Sequence, residues 1–596
     1  MQRSQSTYLK MSITLRSSFL DFLKGIAIIV IVLFHAGILT YGYLGVEVFF
    51  VLAGYLTTQS MVRAFERKDF NYWKFIRNRL VRLWPLAIMI CAVSLLLGYF
   101  YMLPSNYKNV SETALGTLFF LNNFVQYITA GDYWDVSNDY KPLMHTWYLG
   151  VLFQFYLFYP LLLMITHRFT KRWKRSSIIL LICFGMASLL LYLLPFISTP
   201  LNFYMLPNRF FEFAVGALVA LLPTCKEKRV ENRKIAASII FLCILFVSGL
   251  DLEHTKLILI LTVAITAWIL YTYSYSKSID AVESRYLHWI VELGVASYSI
   301  YLWHQVFFAF YRYIVNDTLS VWEYIGLIGC SIVFGYLSYV FIERSLSSLM
   351  KAYKSAKLLI PASCFALTIL IGYLSYKLYM CNGVVRDIPE LEIYKDKPET
   401  WEPQFYNASV SDHDIDFPHN GKKNVLIVGD SYARDWFNVL CEAHVDSFMN
   451  MSYHYVRDAV LENRIMHADY IFLAVYGDFT PYFDYIPRMM SKHFYLVGTK
   501  RFFSTAGVIY NHYPKDAGYY HQTVLPPEDV AEVNQHDYDV FREKFIDPMK
   551  VMKNADGSYR IFTPEGKLIS HDGLHLTRAG AKYYASRMNI ISYFKE

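Results

Sequence analysis

Gly429-Asp430-Ser431 and Asp572-x-x-His575 are the residue groups of this chain whose types and spacing fit activation of a nucleophile. The glycine permits a sharp turn after an apolar strand. A serine at the first turn of a helix keeps its own backbone N–H free to donate to an oxyanion. A carboxylate three residues before a histidine on one loop can fix the imidazole tautomer that deprotonates a serine. Taken in chain order as Ser431, Asp572 and His575, the groups describe acyl chemistry through a serine.

A second set of polar residues interrupts long apolar runs: Lys24 and His35, Glu47, Arg79 and Arg82, His145 with Trp147 and Gln154, and Glu212. An ionisable side chain at membrane depth costs about 2.5–3.5 kcal/mol on insertion scales, so such groups usually face a cavity or a pathway. Arginines beside a span also have an ordinary reading as positive-inside decoration.

The elements that must position these residues follow from composition. The 596 residues are 55% hydrophobic and 18% aromatic, with a mean hydropathy of +0.27. This suits a multi-spanning membrane protein better than a soluble enzyme. The net charge of +7 is scattered and forms no basic, aromatic-interleaved strip, which sets nucleic-acid binding aside. No CxxC or HExxH pattern supports a metal site. Of the eight cysteines, six, Cys225 among them, lie in or beside apolar segments. Cys381 and Cys441 fall in the polar part, where an oxidising compartment would allow a disulfide.

Apolar runs near 19–40, 43–62, 84–103, 146–166, 177–196, 208–224, 235–250, 257–274, 288–310, 322–342 and 358–380 predict about eleven transmembrane helices. The first lacks a small-residue cleavage site and reads as a membrane helix, not a removable signal. Residues 113–129 are also apolar. Treating them as re-entrant or surface-lying keeps the basic clusters at 63–82, 167–175, 225–234 and 343–357 on one side, together with the 275–286 loop. The N-terminus is then cytoplasmic, and everything beyond the last helix, 358–380, is extracytoplasmic. Residues 381–421 read as a linker or an ordered extension. From 422 to 596 the pattern is α/β: "NVLIVG", "ADYIFLAVYG" and "HFYLVGTKRFF" are buried-strand runs, and "TRAGAKYYASRMNIISYF" is a closing helix.

On Gly429-Asp430-Ser431 and Asp572-x-x-His575, residues 422–596 resemble the SGNH (GDSL-like) hydrolase family. The resemblance implies a flavodoxin-like three-layer α/β fold, with Ser431 as nucleophile, His575 as base and Asp572 as orienter. It also implies oxyanion donors from a glycine and an asparagine in middle blocks. Gly477 in "LAVYGDF" stands where the glycine should be; Asn511 and Asn534 are asparagine candidates by elimination.

Residues 17–350 resemble the acyltransferase 3 family of integral membrane acyltransferases. The series "LDFLKGIAIIVIVLFHAG", "GVEVFFVLAGYLTT", "RNRLVRLWPL", "PLMHTWYLG", "RFFEFAVGALVA", "SYSIYLWHQ" and "FIERS" carries the likeness. The resemblance implies a cytoplasmic acyl-CoA donor, commonly acetyl-CoA, as substrate, with no permanently bound cofactor. It gives the transfer role to His35 and donor binding to Arg79 and Arg82. The family's frequent Arg-x10-His pair is Lys24-x10-His35 here, which keeps the charge and loses the planar fork. Acidic residues frequent before "QFY" are Leu152 and Phe153 here, leaving Glu47 or Glu212 to supply a carboxylate.

The combined resemblance implies a bacterial inner-membrane enzyme that moves an acyl group from cytoplasmic acyl-CoA to a hydroxyl of a cell-envelope glycan of O-antigen, lipooligosaccharide or peptidoglycan type. Two alternatives stand beside it: an extracytoplasmic carbohydrate acetyl-esterase anchored by its helices, and a transporter or sensor without acyl chemistry.

Overall fold

Apolar runs of membrane length become helices through residue 380, and the alternation of short apolar strands with helices beyond it becomes a parallel sheet. The computed structural model describes residues 2–129, 138–222, 232–248, 255–275, 287–316, 318–401, 405–477, 479–503, 505–512, 515–525 and 528–594. Cys225, most of the basic 225–234 cluster and nearly all of the 275–286 loop lie outside these residues. The chain divides into two compact units, one of residues 1–100, 106–312 and 318–380, the other of 101–105, 313–317 and 381–596.

In the helical unit, eight described helices are long and apolar enough to cross a membrane: Ser18–His35, Gly42–Arg67, Tyr72–Tyr101, Met144–Phe169, Trp173–Leu193, Lys256–Ser274, Val321–Ala352 and Ala356–Met380. The other stretches expected to span are also helical. Leu206–Leu221 and Asn232–Ser248 are shorter, and 288–310 is divided at Ala296 into His288–Val295 and Ser297–Ile314. Residues 113–129 do not form one straight helix. Pro104–Leu118 ends before Phe120, whose φ is +57°, and Asn122–Thr129 follows. Asn122 and Asn123 there are buried, donating to the carbonyls of Leu143 and Tyr204.

Small residues set the helix crossings. A Cβ on Gly54 would lie 2.0 Å from the Phe213 carbonyl, and one on Gly216 would lie 2.0 Å from that of Val51. Gly25 and Gly294 make the same reciprocal approach, to Ile290 and Asp21. Between apolar helices in lipid, such close backbone contact is a main source of association.

In the second unit the strands are β1 (Asn424–Gly429), β2 (Asn450–His454), β3 (Tyr470–Ala474), β4 (His493–Val497), β5 (Thr523–Val524), β6 (Phe545–Ile546) and β7 (Tyr559–Arg560). Five form a parallel sheet in the order β2-β1-β3-β4-β6, and β5 pairs antiparallel with β7. Val425 and Ile427 pack on one face of the sheet, and Leu426 and Val428 on the other. Covering on both faces explains why β1 reads as an unbroken apolar run. The strand order reverses direction beside β1, and a doubly wound sheet binds ligands outside its carboxyl ends at such a point. Ser431 follows the end of β1. Of residues 381–421, Ile388, Ile393 and Val410 enter the same core as Ile427. The expected closing helix is shorter than the sequence suggests, Arg578–Arg587, followed by a 3-10 turn at Ile590–Phe594. Cys381 and Cys441 are not joined in a disulfide.

Candidate active sites

Ser431 is the first residue of helix Ser431–Glu442. Gly429 has φ +133°, and a Cβ there would lie 1.9 Å from the Ala474 carbonyl, so the turn needs glycine for both conformation and space. Asp430 caps the helix by accepting from Tyr432 N–H at 2.9 Å; its other oxygen accepts from Tyr476 N–H at 2.9 Å. That second bond ties the nucleophile turn to the segment after β3, one residue before Gly477, which has φ +73° and open space where a Cβ would stand. In the first turn of a helix the serine N–H has no intrahelical acceptor.

The structure brings the three sequence-selected residues of the triad together. His575 Nε2 lies 2.9 Å from Ser431 Oγ, and His575 Nδ1 lies 2.5 Å from Asp572 Oδ2. The other Asp572 oxygen accepts from the backbone N–H groups of Leu574 and His575, each at 2.8 Å. Burial pushes the Asp572 carboxyl upward, but the imidazoles of His571 and His575 and the donated hydrogen bonds outweigh it, holding the group far below the ordinary carboxylate range. An ionised Asp572 keeps the proton on His575 Nδ1 and leaves Nε2 to accept from the serine. His571, Asp572 and His575 also set three potential metal donors within 4.8 Å of one another. Both His575 nitrogens are committed within the triad, which is the arrangement a nucleophile needs.

Behind the triad stands a brace that sequence reading missed. Asp435, one helical turn beyond Ser431, accepts from Leu576 N–H at 3.0 Å, from Asn407 Nδ2 at 2.5 Å and from Lys500 Nζ at 2.6 Å. Lys500 also donates to the Leu574 carbonyl at 2.9 Å, and Asn407 to the Ser431 carbonyl at 3.0 Å. The residues on both sides of His575 are therefore held by one buried ion pair. Asp435 four places after Ser431 was the available sequence signal, since that spacing puts both on one helix face. Asn511 and Asn534, the asparagine candidates, are engaged elsewhere: Asn534 exchanges hydrogen bonds with the backbone of Thr499, and Asn511 donates to the Gly507 carbonyl.

In the helical unit, Lys24, Arg79 and Arg82 line one cavity of about 100 Å3 with Tyr148, Tyr298 and Tyr301. Lys24 and Arg82 also line a larger one of about 860 Å3, with Lys74, Arg77, Arg344 and Lys351 among its walls. Lys24 and Arg82 thus stand at the walls of both the narrow cavity and the wide, basic one. Arg79 lies 4.8 Å from the Tyr156 ring centroid, Lys24 bonds Asp21 at 2.8 Å, and Arg82 stands 3.8 Å from Glu343. Beyond Tyr301, whose hydroxyl donates to the His145 carbonyl at 2.7 Å, lie three imidazoles. His304 has its ring centroid 4.9 Å from that of His35 and 5.1 Å from that of His145. His304 was not singled out in the sequence, although it sits in "YLWHQ".

Glu47 and Glu212 do not line either cavity. Both meet Arg209: its Nη1 lies 3.0 Å from each Glu47 oxygen and 2.8 Å from Glu212 Oε1, and all three side chains are buried. They serve a packed ion cluster between helices Gly45–Arg67 and Leu206–Leu221. The Arg209-to-Glu212 spacing of three residues was its sequence signal.

Comparison with known proteins bears on the helical unit. The family model described as "Acyltransferase domain", that of acyltransferase 3, matches residues 17–340, more than half of the chain. Peptidoglycan O-acetyltransferase OatA of Listeria monocytogenes is 26% identical over 348 residues, covering 54% of each chain. The putative membrane-bound transacylase BcsY of Komagataeibacter xylinus is 27% identical over 373 residues, 60% of this chain and 91% of its own. A putative O-acetyltransferase of Staphylococcus aureus is 28% identical over 354 residues, 54% of this chain and 56% of its own. The chain thus spans about half the length of the first and third relatives. No solved structure matches. With the matched segment containing Lys24, His35, Arg79, Arg82, His145 and His304, this chain belongs to the acyltransferase 3 family of acyl-transferring enzymes.

Proposed function

We propose that the protein is a membrane O-acetyltransferase that carries an acyl group from cytoplasmic acyl-CoA to a hydroxyl of a cell-envelope glycan. In this reading eleven helices cross the bacterial inner membrane, the N-terminus is cytoplasmic, and residues 422–596 are an extracytoplasmic SGNH domain. The observation that carries the reading is the shared lining of two cavities by Lys24 and Arg82, with Arg79 beside them and the histidine group beyond Tyr301. A wide basic opening suits the phosphates of a CoA, and a narrow, largely apolar continuation suits its arm. The thioester would then reach His35.

The 2-1-3-4 order of the first four sheet strands supports a flavodoxin-like SGNH fold, and the Ser431–His575–Asp572 geometry supports an acyl-serine step. Ser431 Oγ attacks the acyl carbonyl carbon as its proton passes to His575; the bond from that carbon to the donor breaks, and His575 gives the proton to the departing group, which leaves it neutral again. The glycan hydroxyl then attacks the ester, with His575 as base, and Ser431 recovers its proton. The serine N–H and that of Gly477 are the proposed oxyanion donors. The names of the relatives support acetyl as the group moved.

The intact triad also favours a second reading, a glycan acetyl-esterase. One experiment separates the two: base-labile acetate on isolated envelope glycans from a deletion strain, complemented with wild type, His35→Ala or Ser431→Ala at matched membrane levels. The transferase reading expects acetate to fall on deletion and return only with wild type. Full restoration by Ser431→Ala would remove the serine step. A rise of acetate on deletion would establish the esterase.

A further inference from the structure

We propose that His304 is a catalytic residue of the helical unit, the proton acceptor for His35 during acyl transfer. The inference rests on the reading of His35 as the histidine that meets the thioester. His304 is fully buried on helix Ser297–Ile314, and its Nδ1 lies 2.5 Å from the Tyr301 carbonyl oxygen. A carbonyl only accepts, so Nδ1 carries the proton. The neutral ring then holds its lone pair on Nε2, and that atom has no hydrogen-bond partner among the described residues. Both nitrogens of His145 are likewise without partners. Buried polar atoms are nearly always paired, and an exception asks for a functional reason.

A structural histidine in this same chain shows the contrast. His454, also buried, stands between Asp414 at 3.0 Å and Asp458 at 3.1 Å, with both nitrogens used. Beside His35, by contrast, His304 is held through Nδ1 while its Nε2 has no hydrogen-bond partner among the described residues. His35 itself is fixed through its backbone, since Arg312 Nη2 donates to its carbonyl at 2.9 Å. The groups facing His304 are therefore the His35 and His145 imidazoles and Tyr301, with the Arg312 cation at the His35 carbonyl.

The step balances as follows. The lone-pair nitrogen of His35 attacks the carbonyl carbon of an acyl thioester, forming a C–N bond as the C–S bond breaks and the thiolate leaves. The ring is then an acyl-imidazolium. Its remaining N–H proton passes to His304 Nε2 and from there to the thiolate, giving free thiol, neutral His304 and acyl-His35. The hydroxyl acceptor removes the acyl group in the next step and supplies the proton that restores His35.

The test uses the full-length chain in a deletion strain. His304→Asn keeps a donor for the Tyr301 carbonyl and removes Nε2, so a purely structural role survives it. Membranes from these cells receive radiolabelled acetyl-CoA, and thiol release and label transfer are followed across pH. We expect His304→Asn to lose at least about 100-fold at neutral pH, with unchanged membrane level and melting, and to regain about tenfold between about pH 7 and pH 9 as hydroxide replaces the missing base. Transfer within about threefold of wild type, with His35→Ala inactive, overturns the assignment alone. A loss that stays flat with pH also overturns it. Activity retained by His35→Ala removes the underlying reading of the membrane site and this inference with it. Should His304→Asn not accumulate, His304→Gln is judged by the same outcomes.

Discussion

Lys500 Nζ lies 2.6 Å from Asp435 Oδ2, and this buried pair grips the loop of His575 from both sides, through the Leu574 carbonyl and the Leu576 N–H. The ammonium also stands 3.8 Å from the centre of the Tyr432 ring. An ion pair so enclosed is weak evidence of net stability, but removing one partner strands the other charge. In the proposed serine chemistry, its position behind His575 makes its geometry matter.

Lys500→Met leaves Asp435 uncompensated and should destabilise the second unit by about 3–5 kcal/mol. The double variant Lys500→Met/Asp435→Asn should recover part of that, because no buried charge remains. Thermal melting of the full-length protein in detergent checks both. Equal melting of single and double variants would mean that the pair is not coupled.

Ser431→Ala should abolish p-nitrophenyl acetate hydrolysis by the full-length protein, while Asp572→Asn should lower kcat by about 10^4 through loss of the correct His575 tautomer. The released nitrophenol is the readout. Hydrolysis unaffected by Ser431→Ala would remove serine chemistry from this site.

The pH dependence of stability follows from the depressed pKa of Asp572. A carboxyl with a lowered folded pKa stabilises the fold fully above its unfolded value, about 3.9, and loses that contribution as pH falls toward the folded value. The stability difference between wild type and Asp572→Asn should hence be constant from about pH 7 to pH 5 and shrink below about pH 4. The side chain is 32% exposed, so solvent screens part of the effect. Denaturant melts at a series of pH values measure it.

Arg209→Met would leave Glu47 and Glu212 facing each other without their shared cation. Breaking a buried pair in this way costs about 3–5 kcal/mol, and the variant should fail to accumulate in membranes. Glu47→Gln/Arg209→Met/Glu212→Gln should accumulate better than Arg209→Met alone. Membrane level by immunoblot decides the point.

Arg79→Ala and Arg82→Ala should each raise KM for acetyl-CoA with a smaller effect on kcat if they bind the donor's phosphates equally in ground and transition states. Arg82→Lys should recover only part of the loss, since the planar fork is gone. Initial rates of thiol release in membranes test this; a kcat effect at unchanged KM would place the arginines in the chemical step.

The sequence by itself determined the helical character of the first part, the strand–turn–helix that presents Ser431, and the local Asp572–His575 pair, because apolar run length, glycine at a turn and a three-residue spacing are all short-range signals. Membrane capacity was legible from the same runs, and eight of the described helices are long and apolar enough to cross; the break at Ala296 within 288–310 depends on packing. Only the tertiary structure decided which distant groups meet: Ser431 with His575 across 144 positions, Glu47 with Arg209 across 162, and Lys500 with the carbonyl of Leu574 across 74. It also moved Glu47 and Glu212 out of the cavity of Lys24 and Arg82 and put His304 between His35 and His145. A charge or an imidazole carries no mark in the sequence of what will face it. That partner is set by which helix faces and strand ends the whole fold brings within hydrogen-bonding range.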